Sequence, residues 1–258
     1  TAASKQDYPA IARSGTQYLV VWEDYRTDRN RELRAARVAL DGTVLDPNGF
    51  ELCASVGEQG FPRAAAAANG DFFVVWADTR AQVTTYTDLY GTLVRADGTV
   101  VTPCGTRLTT SDDATVPVVA SDGTGFLVAW YESSGSGFNN VVKASRVGPT
   151  GVMLDSPSLN FSPSGGAANP TVAWGNGMYL VAYEGSGGLR GVRVPPTGPV
   201  LDAPPGMWLG GYGGFPSLTF DGRQWVIAFR LYFSGSNVHM YARRIAMQSV
   251  ERDVDVAL

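Results

Sequence analysis

The chain has 258 residues, 44% of them hydrophobic and 17% charged, with a net charge of −4. That balance excludes a disordered polymer and gives no basic footprint for nucleic acid. No apolar run approaches the roughly 18 residues that span a bilayer as a helix, and "TAASKQDYPA" lacks the basic-then-apolar pattern of a leader, which leaves a mature secreted product open.

The first predicted element is a small, alternating strand, "PAIARS", beginning at Pro9. A turn, "SGT", leads to an apolar strand "YLVVW" ending at Trp22, then to "RAARV", a hairpin turn at Asp41-Gly42, and a weaker strand "FELCAS". The same order then returns. Aligned on the aromatic that ends the apolar run, Trp22, Trp76, Trp130, Tyr183 and Phe229 lie in "YLVVW", "FFVVW", "FLVAW", "YLVAY" and "WVIAF". A proline precedes each at a nearly fixed distance: Pro9, Pro62, Pro117, Pro170 and Pro216. The repeats are about 8–60, 61–115, 116–168, 169–214 and 215–258, read as one domain. Ala64–Ala68 would favour helix on propensity, but the register of the repeat makes it a strand.

Four short strands in each unit of about fifty residues predict an all-β, five-bladed β-propeller with four antiparallel strands per blade. Each blade packs between two neighbours, so its second strand should be continuously apolar and covered on both faces. Inner strands crowd the axis, which explains small residues such as "PRAAAAA". Closure is expected where the final "VAL" meets the opening "TAAS", placing the fifth blade beside the first. A pair of β-sandwiches is the rival, but sandwiches do not predict five copies in phase.

The unit dg-x(4)-VVW-x-D-x-R…DGT-V-L-D resembles repeats of secreted and cell-surface proteins of Gram-negative bacteria, myxobacteria among them. The five-bladed plan is also similar to tachylectin-type lectins and to the catalytic domains of several glycoside hydrolase families. The lectin resemblance is architectural, since no repeated tryptophan-glycine sugar motif is present. The hydrolase resemblance implies an acid near the start of the first blade, and "QDYPAI" supplies Asp7 alone.

Function in a propeller concentrates on the face where fourth strands lead to first strands and second strands lead to third. Residues just before the repeat proline ring that mouth: Tyr8, Phe61, Val116, Asn169 and Phe215, with Tyr212 nearby. Their aromatics are candidates for stacking on sugar, or for packing on the next blade. The strand 2–3 loops begin with Glu23-Asp24, Asp78, Glu132 and Glu184. These acids are candidate ligand contacts; the alternative is that Asp24 and Asp78 pair with Arg26 and Arg80 and fix the loop. The single histidine, His239, points to no triad or zinc site. Asp24, Asp28, Asn30 and Glu32 lack the order of a calcium loop, so no metal or cofactor is expected. Cys53 and Cys104 fall in adjacent fourth strands, offset by about four residues or roughly 13 Å, which predicts free thiols.

The expected function is therefore a non-catalytic, lectin-like module at the cell surface or outside the cell. It would bind a carbohydrate or extracellular polymer, with no nucleic acid and no membrane insertion. The alternatives are a protein-interaction or structural module of a larger surface protein, and a glycoside hydrolase.

Overall fold

The computed structural model describes residues 4–26, 31–81, 87–110, 113–133, 140–162, 165–211, 213–232, 238–245 and 256–257. Twenty strands form five four-stranded antiparallel sheets. Blade 1 holds β1 (Gln6–Arg13), β2 (Gln17–Asp24), β3 (Glu32–Ala39) and β4 (Phe50–Cys53). Blade 2 holds β5 (Gln59–Ala66), β6 (Phe72–Asp78), β7 (Asp88–Val94) and β8 (Thr106–Arg107). Blade 3 holds β9 (Ala114–Ser121), β10 (Phe126–Glu132), β11 (Val141–Val147) and β12 (Leu159–Asn160). Blade 4 holds β13 (Ala168–Gly175), β14 (Met178–Gly185), β15 (Gly188–Val194) and β16 (Met207–Gly210). Blade 5 holds β17 (Gly213–Phe220), β18 (Trp225–Tyr232), β19 (Val238–Ile245) and β20 (Val256–Ala257). Each sheet runs in chain order from the inside out, the arrangement of a five-bladed propeller. The described residues contain no helix long and apolar enough to cross a membrane.

The repeat's apolar run forms the joints between blades. Leu19 and Val21 of β2 meet Phe72, Val74 and Trp76 of β6 in one core. Phe73 and Val75, on the other side of β6, meet Phe126, Val128 and Trp130 of β10. Alternation within one strand therefore feeds two neighbours, and every residue of β6 is buried. Ala64–Ala66 fall in β5, so the repeat's register prevails over helix propensity.

Blades 1 and 5 differ from this expectation. Burial along β2 alternates, and Val20 and Trp22 are only partly covered. The inner strands pack in the order β1, β5, β9, β13, β17, and no comparable packing joins β17 to β1 among the described residues. The seam lies there because each end blade has one well-packed neighbour. Residues 1–3 and 258, which the sequence assigns to that seam, lie outside the described residues.

The expectation of free thiols is corrected. Cys53 and Cys104 form a disulfide with Cα atoms 4.2 Å apart. Counting along parallel ladders failed because Cys104 is not in a strand. It sits in a turn ahead of β8 at a positive φ of 59°, and its N–H donates to Leu52 O at 2.9 Å. The turn carries the sulfur back across the joint to the end of β4.

Candidate functional site: the mouth of the propeller

One backbone feature repeats in all five blades. Tyr8, Phe61, Val116, Asn169 and Phe215 have left-handed φ values of 46°, 54°, 48°, 49° and 52°. Each stands immediately before the repeat proline. At each point the first-strand register slips, for example between Asp7 and Ala10 against Glu23 and Val21. This is a β-bulge: proline has no N–H for the ladder, and one extra residue is accommodated by turning its neighbour left-handed. A non-glycine residue in this region costs roughly 1–2 kcal/mol, and a β-branched one such as Val116 is a marked outlier. Repeated strain of this kind marks positions whose side chains are re-aimed by the fold.

The mouth ring is uneven. Tyr8 is 46% and Phe215 58% exposed. The Tyr8 and Phe61 rings meet edge to face at 5.1 Å across blades 1 and 2. The Arg230 guanidinium lies 4.4 Å from the Phe215 ring. The Tyr8–Phe61 contact is packing between blades, while Tyr8 and Phe215 remain open to solvent. Tyr212 lies outside the described residues.

The bulges leave amide N–H groups out of the ladder, and in two blades an acid of the preceding blade takes that group up. Glu23 Oε1 accepts the Phe61 N–H at 2.9 Å. Glu184 Oε1 accepts the Phe215 N–H at 2.5 Å and the Asn169 Nδ2–H at 2.8 Å. Each acid ends the second strand of one blade and ties down the bulge of the next. Glu23 is fully buried, whereas Glu184 is half-buried at the rim.

The other three candidate acids are held elsewhere. Trp22, Trp76 and Trp130 each donate their indole N–H, at 3.0 Å, to Asp24, Asp78 and Glu132 two residues on. Asp24 also accepts Arg26 N at 3.0 Å and Arg26 Nε at 2.8 Å. Asp78 accepts Arg80 N at 2.8 Å and Arg80 Nε at 2.9 Å. In blade 3 the cross-strand Lys143 pairs with Glu132. Burial would raise the Asp24 pKa, but the bonds from Arg26 and Trp22 outweigh it and hold it below the usual carboxylate range. These carboxylates brace wedge tryptophans, a pairing visible in the sequence as W-x-[DE] but not identified from it.

Asp7 is different. It is partly exposed, paired with Lys5 Nζ at 2.6 Å, and accepts the Tyr8 N–H at 3.0 Å. The Lys5 ammonium, then the amide, holds its pKa below the ordinary aspartate value, so it is ionised at neutral pH. It lines a groove of about 510 Å³ on blade 1, together with Trp22, Arg26 and Asp46. His239 is exposed on β19. Asp28 and Asn30 lie outside the described residues. Among those described, no cluster of three or more His, Cys, Asp or Glu side chains could hold a metal.

No protein-family profile matches the chain, and no curated protein sequence matches it. Solved structures do. An endo-1,4-β-xylanase from Bacteroides thetaiotaomicron is similar at 12% identity and a TM-score of 0.50, covering 97% of this chain and 94% of that one. An α-L-arabinofuranosidase from Lactobacillus brevis is similar at 11% identity and a TM-score of 0.52, covering 93% and 90%. An exo-β-1,3-galactanase from Phanerochaete chrysosporium, solved with β-1,3-galactotriose, is similar at 10% identity and a TM-score of 0.51, covering 93% and 60%.

At these identities the likeness is one of fold. It corrects the reading of a non-catalytic, lectin-like module nonetheless. That reading treated even repetition of the blades as an argument against an enzyme. The similar structures are of glycoside hydrolases, so this fold is no argument against an enzyme.

Proposed function

We propose that the protein hydrolyses glycosidic bonds at the mouth of the propeller. The observation that carries this reading is a five-fold strained ring, with exposed aromatics, that has the carboxylates Asp7 and Glu184 at its rim. Exposed Tyr8 and Phe215 present ring faces on which a sugar can stack. Glycoside hydrolysis needs two carboxyl groups, one to act on water or on the anomeric carbon and one to protonate the leaving oxygen. Asp7, kept ionised by Lys5 and the Tyr8 amide, suits the first role. Glu184, oriented by two bonds that both fall on Oε1, is the second carboxyl group. The disulfide supports a place outside the reducing cytosol, at the cell surface or in the medium. The sequence resemblance to secreted repeat propellers of Gram-negative bacteria points the same way.

The test is release of reducing sugar from xylan, arabinan, galactan and the acidic polysaccharides glucuronoxylan and polygalacturonate, with Asp7→Asn beside the unchanged protein. Activity on at least one polysaccharide, abolished in Asp7→Asn, is the expected result. A folded protein that releases no sugar from any member of the panel removes the reading.

A further inference from the structure

Blade 4 departs from the W-x-[DE] pattern in a way that leaves a cation facing a cavity. In blade 3 the aromatic Trp130 pairs across the ladder with Lys143, and Lys143 binds Glu132, two residues after Trp130. The same register in blade 4 pairs Tyr183 with Arg190. The position two residues after Tyr183 is Gly185, so no carboxylate is supplied. The Arg190 stem runs where that side chain would begin: a Cβ on Gly185 would lie 2.7 Å from Arg190 Cγ. Arg190 Nε is buried and has no hydrogen-bond partner among the described residues.

Beside it lies a cavity of about 140 Å³, lined by Gly185, Arg190, Ser162, Ser186, Tyr183 and Pro205 among others. It opens outward past exposed Ser186 and Pro205. Its floor is the Tyr183 hydroxyl, within bonding distance of the carbonyls of Phe161 (3.0 Å) and Pro205 (2.5 Å). Burial pushes the Tyr183 pKa up to about 12, so this group stays neutral and adds no competing negative charge. A water occupies about 30 Å³ of liquid, so the cavity has room for a carboxylate and part of the sugar ring that carries it.

We propose that the blade 4 cavity binds the carboxylate of a uronic acid residue, with Arg190 as its counter-ion in the position where blade 3 supplies Glu132 from its own chain. A guanidinium matches a carboxylate geometrically, and half-buried Arg190, its Nε covered and unpartnered, offers that fork to a ligand entering the cavity. The site lies at the mouth end of the blade: Gly185 follows Glu184, whose strand partner is Ala168, next to Asn169. This assignment rests on the glycan-acting reading above and narrows its substrate class to an acidic polysaccharide.

Titration calorimetry with D-glucuronate, D-glucose and acetate tests it. Glucuronate should bind at least tenfold more tightly than either glucose or acetate. Arg190→Gln should weaken glucuronate binding at least tenfold, and Arg190→Lys should retain part of it. Glucuronate binding no tighter than that of glucose or acetate overturns the proposal, as does an unchanged affinity in folded Arg190→Gln. If Arg190→Gln does not fold, the three-ligand comparison on the unchanged protein decides. Hydrolysis of neutral polysaccharides without glucuronate binding overturns this site alone, while glucuronate binding without hydrolysis overturns only the enzymatic reading.

Discussion

Opening the Cys53–Cys104 bridge tests the joint between blades 1 and 2 directly. The cysteines are separated by 51 residues, which include β5, β6 and β7. Cross-linking a loop of that length removes denatured-state entropy worth about 4 kcal/mol at 25 °C in the chain-entropy treatment. The native geometry does not depend on the bond alone, because Leu52 O still accepts the Cys104 N–H at 2.9 Å and Arg80 Nη2 donates to Cys104 O at 2.8 Å. Most of the loss should therefore appear as stability rather than as a changed fold. For 258 residues the unfolding entropy near the midpoint is about 0.5 kcal/mol per kelvin, so the melting temperature should fall by about 7 °C. The assay is thermal melting by circular dichroism with and without a phosphine reductant, repeated on Cys53→Ala/Cys104→Ser. Alanine is chosen at Cys53 because that side chain is 1% exposed and a buried hydroxyl would confuse the result. A reduced protein melting within about 1 °C of the oxidised one would refute the reasoning. So would two titratable thiols in the unreduced, unfolded chain.

Three further outcomes follow from the same contacts. Trp76→Phe keeps the wedge but strips Asp78 of an indole donor at 3.0 Å, and should cost about 1–3 kcal/mol by urea unfolding; a change within error would deny the brace a role. Val116→Asn should stabilise by about 0.5–1 kcal/mol, because asparagine tolerates the left-handed φ of 48° far better than a β-branched residue; a lower urea midpoint would show that the Val116 side chain outweighs its strain. Arg37 binds Asp46 through its backbone N–H and guanidinium and holds the Asp46 pKa below 3.8. A depressed folded pKa contributes stability that is full above about pH 4 and is lost as the pH falls through the folded value. Chemical unfolding from pH 6 to pH 2 should therefore be less steep in Asp46→Asn; parallel curves for the two proteins would remove the pair from the acid response.

Much of the scaffold was legible because it is written locally and repeated. "YLVVW" and "FFVVW" carry both the strand propensity and the alternation that feeds two neighbours, and five copies in phase identify the ring. The prolines located the mouth, since a residue without an N–H must interrupt a ladder at the same point in every blade. What they did not reveal is the left-handed turn of Tyr8 and its four counterparts, which depends on how the bulge meets the adjoining strand. The acids were found but not sorted: Asp24, Asp78 and Glu132 look like Glu184 in the sequence, yet they turn toward tryptophan indoles, while Glu184 turns toward the next blade's amide.

The chain's own order of residues determined the number of blades, the strands within them and the line of aromatics between them, because periodicity and turn chemistry act over a few residues. Only the packed structure decided which cysteine reached which, which blade faces stayed uncovered, and where Arg190 was left facing a cavity. Those outcomes depend on distances between residues of separate strands and blades, set by how the sheets stack and where turns cross a joint, and no local pattern encodes them.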